Sequence, residues 1–172
     1  IASITFSTVL YSPELHYLLP FLLALITLSF LDDLITIKPL IRLAVHFLTA
    51  LTFLLTFDLQ SNYLFLIILL FYLVWIINLY NFMDGSDGLA VGMSVIGFSC
   101  YAALSIMLGD LNFATFNIII ITACTSFLFF NFPPAKIFMG DTGSIPLGFL
   151  CGALGIIGWY KLLWPLWFPL VV

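Results

Sequence analysis

The chain has 172 residues, of which 64% are hydrophobic and only 7% charged, with a formal net charge of −4. Its mean hydropathy is +1.27, whereas soluble domains carry about 25% charged residues, so a water-soluble globular domain is excluded. The apolar stretches are long and continuous rather than alternating, which predicts an all-α polytopic transmembrane bundle rather than a membrane barrel. Cys100, Cys124 and Cys151 lie far apart in apolar runs and show neither disulfide nor zinc spacing.

About six spans follow in chain order, each near the ~20 residues a bilayer needs: 14–31, 39–57, 62–80, 88–108, 112–130 and 144–160. A seventh begins near Leu162 and is cut short, with Pro165 and Pro169 expected to bend or break it. Pro39 suits the first turn of the second span, Asp87 the cap of the fourth and Ser144 the cap of the sixth. No repeat or long linker divides residues 1–172, which read as a single membrane domain. The start at Ile1 and the end within an apolar run read as a fragment of a longer protein.

Spans alternate in direction, so every second joint shares one membrane face. The three joints on one face are FLDDLITIKPLIR, NLYNFMDGSDGLA and FNFPPAKIFMGDTGSIP. They hold Asp32, Asp33, Asp84, Asp87 and Asp141 of the eight acidic residues, and Lys38, Arg42 and Lys136 of the four basic ones. The opposite face has only the sparse joints 58–62 and 109–112, then Lys161. The positive-inside rule makes the polar face cytoplasmic.

Each joint reads in two ways. Asp32 and Asp33 sit at a helix C-terminus, where the dipole disfavours anions; either water solvates them or a cation offsets them. Asn78, Asn81 and Asp84 recur every three residues and share a helix side, with Gly85 and Gly88 allowing a tight turn. That is either a generous turn or a set of hard oxygen ligands suited to Mg²⁺. Gly140, Asp141, Gly143 and Ser144 lead into the sixth span, either as a capped helix start or as an N–H cradle for a metal-bound diphosphate. Phe138 offers a stacking face. Lys136 and Arg42 are either topology markers or phosphate clamps. Gly148 and Gly152 form a GxxxG that reads as helix packing, and His46 as a hydrogen-bonded packing residue; His16 falls on the opposite face.

Taken together, FLDD, NLYNFMDGSDGLA and FNFPPAKIFMGDTGS resemble, in order, the polyprenyl-phosphate N-acetylhexosamine-1-phosphate transferase family, glycosyl transferase family 4. That family includes the phospho-N-acetylmuramoyl-pentapeptide transferases and the O-antigen-initiating UDP-N-acetylhexosamine transferases. The likeness runs from about Leu25 to Phe149, and NLYNFMDG looks more like the O-antigen-type members.

The resemblance implies a Mg²⁺-dependent enzyme, with Mn²⁺ as the alternative ion. The reaction moves an N-acetylhexosamine-1-phosphate from a UDP-sugar to polyprenyl (undecaprenyl) phosphate and releases UMP. It implies a multi-pass protein of the bacterial inner membrane with a cytoplasmic active site in cell-envelope polysaccharide synthesis. Its partners are UDP-N-acetylhexosamine, polyprenyl phosphate and the lipid bilayer, with no nucleic acid; a homodimer stays open. Motif matching makes Asp32 and Asp33 the catalytic pair and Asn81 and Asp141 the metal residues. It places Asp84, Asp87, Phe138, Lys136 and Arg42 around the nucleotide-sugar. The family's later Arg- and His-containing loop has no counterpart here. The competing readings are a truncated non-catalytic member and a membrane cation transporter, and the second sits poorly with spans whose interiors are almost free of charge.

Overall fold

The computed structural model describes residues 13–57 and 63–171. Among these, every regular element is helical. A 3₁₀ turn, Pro13–Leu18, leads into α1 (Leu19–Ile35); α2 (Pro39–Leu54), α3 (Tyr63–Met83), α4 (Leu89–Met107), α5 (Leu111–Asn131) and α6 (Asp141–Tyr160) follow. A second 3₁₀ turn, Phe168–Leu170, comes last.

Five helical stretches are long and apolar enough to cross a membrane: Leu15–Ile35, Tyr63–Met83, Leu89–Met107, Leu111–Asn131 and Asp141–Tyr160. The 16-residue α2 falls short of the expected span 39–57. At 1.5 Å per residue it is about 24 Å long, against a hydrocarbon core of about 30 Å. Pro39 starts it as anticipated, with its missing N–H in the first turn where no partner is needed.

α6 is the hub. It packs against α1, α3 and α4, and every residue from Gly143 to Gly158 is buried. Its glycines explain how it can be enclosed. A Cβ on Gly148 would fall 2.8 Å from Tyr80 Cβ and 3.0 Å from the Ile76 carbonyl oxygen, and one on Gly152 2.6 Å from Leu73 Cδ1. The GxxxG therefore seats α3 directly against the α6 backbone. Phe21, Phe53 and Phe149 fill the angle between α1, α2 and α6, with Phe53 and Phe149 edge to face at 5.4 Å. The outer helices turn large side chains such as Phe82 and Phe129 outward, as lipid-facing surfaces do.

The seventh span is corrected. Residues after Tyr160 turn at Leu162, which has φ 61°, and run back along the bundle. Trp164 is buried, donates its indole N–H to the Gly155 carbonyl at 3.0 Å and stacks on Tyr101 at 4.8 Å. Pro165 interrupts the segment, as expected, whereas Pro169 sits inside the closing 3₁₀ turn. Two caps are also corrected. Gly88, at φ 69°, caps α4 in place of Asp87, and Gly140 caps α6 in place of Ser144. The joint 58–62 lies outside the described residues.

Candidate active site at the acidic end of the bundle

α1 ends in a left-handed Thr36 whose N–H returns to the Asp32 carbonyl. Asp32 and Asp33 therefore belong to the last helical turn instead of following it. α3 runs through Asn81, and α6 begins on Asp141, where the positive end of the helix dipole favours a carboxylate. Arg42 stands one turn into α2.

These four helix ends meet. Arg42 bridges two carboxylates: Nη1 lies 2.9 Å from Asp32 Oδ2, and Nη2 donates to Asp141 Oδ2. Asn81 Nδ2 donates to Asp141 Oδ1 at 2.6 Å and contacts Ser144 Oγ at 3.3 Å. The Ile37 N–H caps Asp32 Oδ1 at 2.5 Å, and Thr142 Oγ1 donates to Asp33 Oδ2 at 3.1 Å. Asp32, Asp33, Arg42, Asn81 and Asp141 thus form one connected constellation. On the far end, Lys161 Nζ bonds Asp110 Oδ2 at 2.6 Å. The joints predicted to share a face do share one.

Asp84 and Asp87 have another task in this structure. Asp84 is buried, and its two oxygens accept the Met139 N–H at 3.3 Å and the Gly140 N–H at 2.7 Å. Burial pushes its carboxyl above the usual carboxylate range; the Gly140 and Met139 N–H groups pull it back, and the nearby Asp141 charge adds to the push. Asp87 accepts the Ala135 N–H at 2.9 Å. Buried Asn131 completes the staple, accepting from Gly88 N–H at 3.0 Å and donating to the Ile137 carbonyl at 2.9 Å. The amide of Gly140, one of the residues expected to cradle an anion, is therefore committed to Asp84, together with that of its neighbour Met139.

Phe138 is half exposed and Lys136 exposed, both on the α5–α6 loop that leads into Asp141. Asn78 diverges from Asn81: it is exposed and spends its amide on the Val74 carbonyl at 2.7 Å. Asn131 and Thr142 are not among the residues that the sequence singles out, and Ser144 is expected only as a cap or as part of an anion cradle. Their signal was a polar residue against an apolar helix end, in FNF and DTGS. An apolar cavity of about 130 Å³ next to Met139 and Gly143, lined also by Leu22, Val91 and Leu147, has no charged side chain on its wall.

A Mg²⁺ ion can be tested against this donor set. Among the described residues no three of His, Cys, Asp or Glu converge into a cage. Mg²⁺ does not require one, since it keeps several waters and takes one or two carboxylates plus substrate phosphate. Asp141, with the Asn81 amide beside it, supplies hard oxygens of that kind. In this structure Arg42 and Asn81 Nδ2 hold the two Asp141 oxygens, so Mg²⁺ would take the place of the guanidinium at Asp141. The residues fit the ion.

Fold and site together define a helical membrane protein with an acid-rich centre at one end of its bundle. The profile of Glycosyl transferase family 4 matches residues 15–159, and the chain belongs to that family. It is 46% identical over 90 residues, 52% of this chain and 25% of the relative, to a probable undecaprenyl-phosphate N-acetylglucosaminyl 1-phosphate transferase of Bacillus subtilis. It is 43% identical over 114 residues, 66% of this chain and 36% of the relative, to a phospho-N-acetylmuramoyl-pentapeptide-transferase of Staphylococcus epidermidis. The chain thus spans about a quarter to a third of the length of these curated relatives.

Proposed function

We propose that this chain carries the acidic centre of a transferase that moves an N-acetylhexosamine-1-phosphate from a UDP-sugar to a polyprenyl phosphate. The setting is the cytoplasmic face of a bacterial inner membrane, in cell-envelope polysaccharide synthesis. The observation that carries the reading is the convergence of Asp32, Asp33, Arg42, Asn81 and Asp141 from four helix ends at one boundary of the bundle. One substrate is soluble and the other is a lipid, so the reaction needs such a boundary.

An oxygen of the lipid phosphate attacks the phosphorus that bears the sugar. The bond from that phosphorus to the bridging oxygen breaks, UMP leaves with that oxygen, and a polyprenyl-diphosphate-sugar remains. Asp141 and Asn81 would hold Mg²⁺, which when bound neutralises the diphosphate and stabilises the departing UMP. Arg42 can exchange its carboxylate partners for phosphate oxygens, which match its planar fork. Asp32, held by Arg42 and the Ile37 N–H, positions that guanidinium. The more exposed Asp33 faces the incoming phosphate or its metal. A phosphate monoester has its second pKa near ~6 in phosphorylated side chains, so it is already largely dianionic at neutral pH and a base adds little. Phe138 offers its ring to the uracil, and Lys136 its charge to the nucleotide phosphates. Asp84 and Asp87 act in this reading by shaping the nucleotide-sugar loop.

Membranes carrying the protein, given UDP-N-acetylhexosamine, polyprenyl phosphate and Mg²⁺, should release UMP. Asp141→Asn and Asp33→Asn should each abolish release. Full activity in both variants overturns the site assignment.

A further inference from the structure

Polarity does not stop at the acids. One helical turn deeper, α1 carries Ser29 and α2 carries His46, four positions before Asp33 and four after Arg42. Both are buried, and neither Ser29 Oγ nor either ring nitrogen of His46 has a hydrogen-bond partner. They supply three of the four such orphaned atoms among the described residues. A buried polar group without a partner is costly and rare.

His46 has a fitting neighbour. The α2–α3 seam is pinned on either side of it, Arg42 and Asn81 meeting on Asp141 and Phe47 packing edge to face on Phe71 at 5.5 Å, and this brings Asn78 of α3 to the His46 ring. The Asn78 amide nitrogen is already given to the Val74 carbonyl at 2.7 Å, and an amide oxygen accepts two hydrogen bonds. A neutral imidazole has one N–H to donate. His46 and Arg42 lie on one side of α2, because residues four apart stack along a helix. The rotation that brings His46 to Asn78 is therefore the rotation that delivers Arg42 to the acids. α2 is also short and largely lipid-facing, with Leu40, Ile41, Leu43 and Leu48 exposed. Apolar packing alone fixes such a helix weakly against slippage, because lipid is as apolar as a neighbouring helix.

We propose that His46 is a positioning residue for Arg42: by donating a ring N–H to Asn78 Oδ1 it sets the rotation of α2 on α3, so that the guanidinium lands between Asp32 and Asp141. The expected loss of activity rests on the transferase reading above. The coupling between His46 and Asn78 does not.

The test uses the full-length protein in membranes and in detergent. His46→Leu should lower kcat for UMP release by about tenfold or more, since misplacement by an ångström can cost about a hundredfold, and His46→Gln, which restores an N–H donor, should recover most of it. In an Arg42→Gln background, His46→Leu should add no further loss. Wild-type kcat in His46→Leu, failure of His46→Gln to recover any of the loss, or losses that multiply with Arg42→Gln overturn the proposal. Thermal unfolding of His46→Leu, Asn78→Leu and the double variant supplies a reading independent of activity. Non-additive midpoints support the contact, and additive ones overturn it. If the wild type releases no UMP but the unfolding cycle is non-additive, the transferase reading fails and the His46–Asn78 contact stands.

Discussion

Arg42 of α2 and Asp141 of α6, 99 residues apart, are joined directly, and the same guanidinium holds Asp32 of α1. One side chain thus ties three helices at the end where the acids gather. Arg42→Gln should lower UMP release by about a hundredfold, the scale on which preorganised charge acts in such sites. Its stability cost should be only about 1 kcal/mol, because the pair is part-exposed. Arg42→Lys should not rescue activity, since a point charge cannot bridge two carboxylates as a planar fork does. Membrane kinetics and thermal unfolding check the two effects separately.

Removing divalent ions with a chelator should stop UMP release, and Mg²⁺ should restore it, with Mn²⁺ as a partial substitute. Asn81→Leu should raise the Mg²⁺ concentration needed for half-maximal rate. An unchanged Mg²⁺ requirement in that variant would remove Asn81 from the metal site.

The helix interface offers a paired comparison. Gly148→Ala would place a Cβ 2.8 Å from Tyr80 Cβ, between backbones that cannot easily part, at a cost of about 1–3 kcal/mol. Gly92→Ala in α4 meets nothing within 4 Å and should stabilise by about 0.5–1 kcal/mol. Unfolding midpoints in one detergent should move in opposite directions.

Asn131→Ala should orphan the Gly88 N–H and the Ile137 carbonyl at once, costing about 1–3 kcal/mol. The loop that carries Phe138 would lose its anchor, so KM for the nucleotide-sugar should rise more than kcat falls. A fall in kcat with unchanged KM would contradict that role.

Asp110 gives a pH dependence at the far end. Burial raises its carboxyl pKa, but the Lys161 hydrogen bond, the Phe113 N–H and the Lys161 charge together hold it below the usual range. A depressed native pKa stabilises above the unfolded value and loses that stabilisation as pH falls through the native one. Wild type should therefore lose stability below about pH 4, and Asp110→Asn should show a shallower acid-side fall. Unfolding midpoints across that range decide the matter.

The acids and Arg42 were legible in the sequence because charge in so apolar a chain is costly and must cluster, and span parity told which joints meet. GxxxG likewise announced close helix packing, but not that α3 is the partner. The staples were not legible. Asp84 and Asp87 bind backbone N–H groups of a loop 48 to 56 residues away, and no periodicity encodes a backbone partner. The residues after Lys161 misled for a related reason. Hydropathy cannot tell an apolar segment that enters lipid from one that lies back on Gly155 and Tyr101. α1 and α3 also extend past the expected boundaries, since a hydrogen-bonded Asn or a paired Asp does not stop a helix.

The enclosure of α6 has a bearing on how the protein would meet different membranes. Helices in contact with lipid tilt or shift when bilayer thickness changes. α6 is sheathed by protein along its shaft, and Asp141 rides on its tip. The depth of that carboxylate is therefore referenced to neighbouring helices and not to the surrounding lipid. In vesicles of graded acyl-chain length Asp141 is the fixed point of the cluster, and any shift falls on Arg42, which rides on the short, lipid-exposed α2.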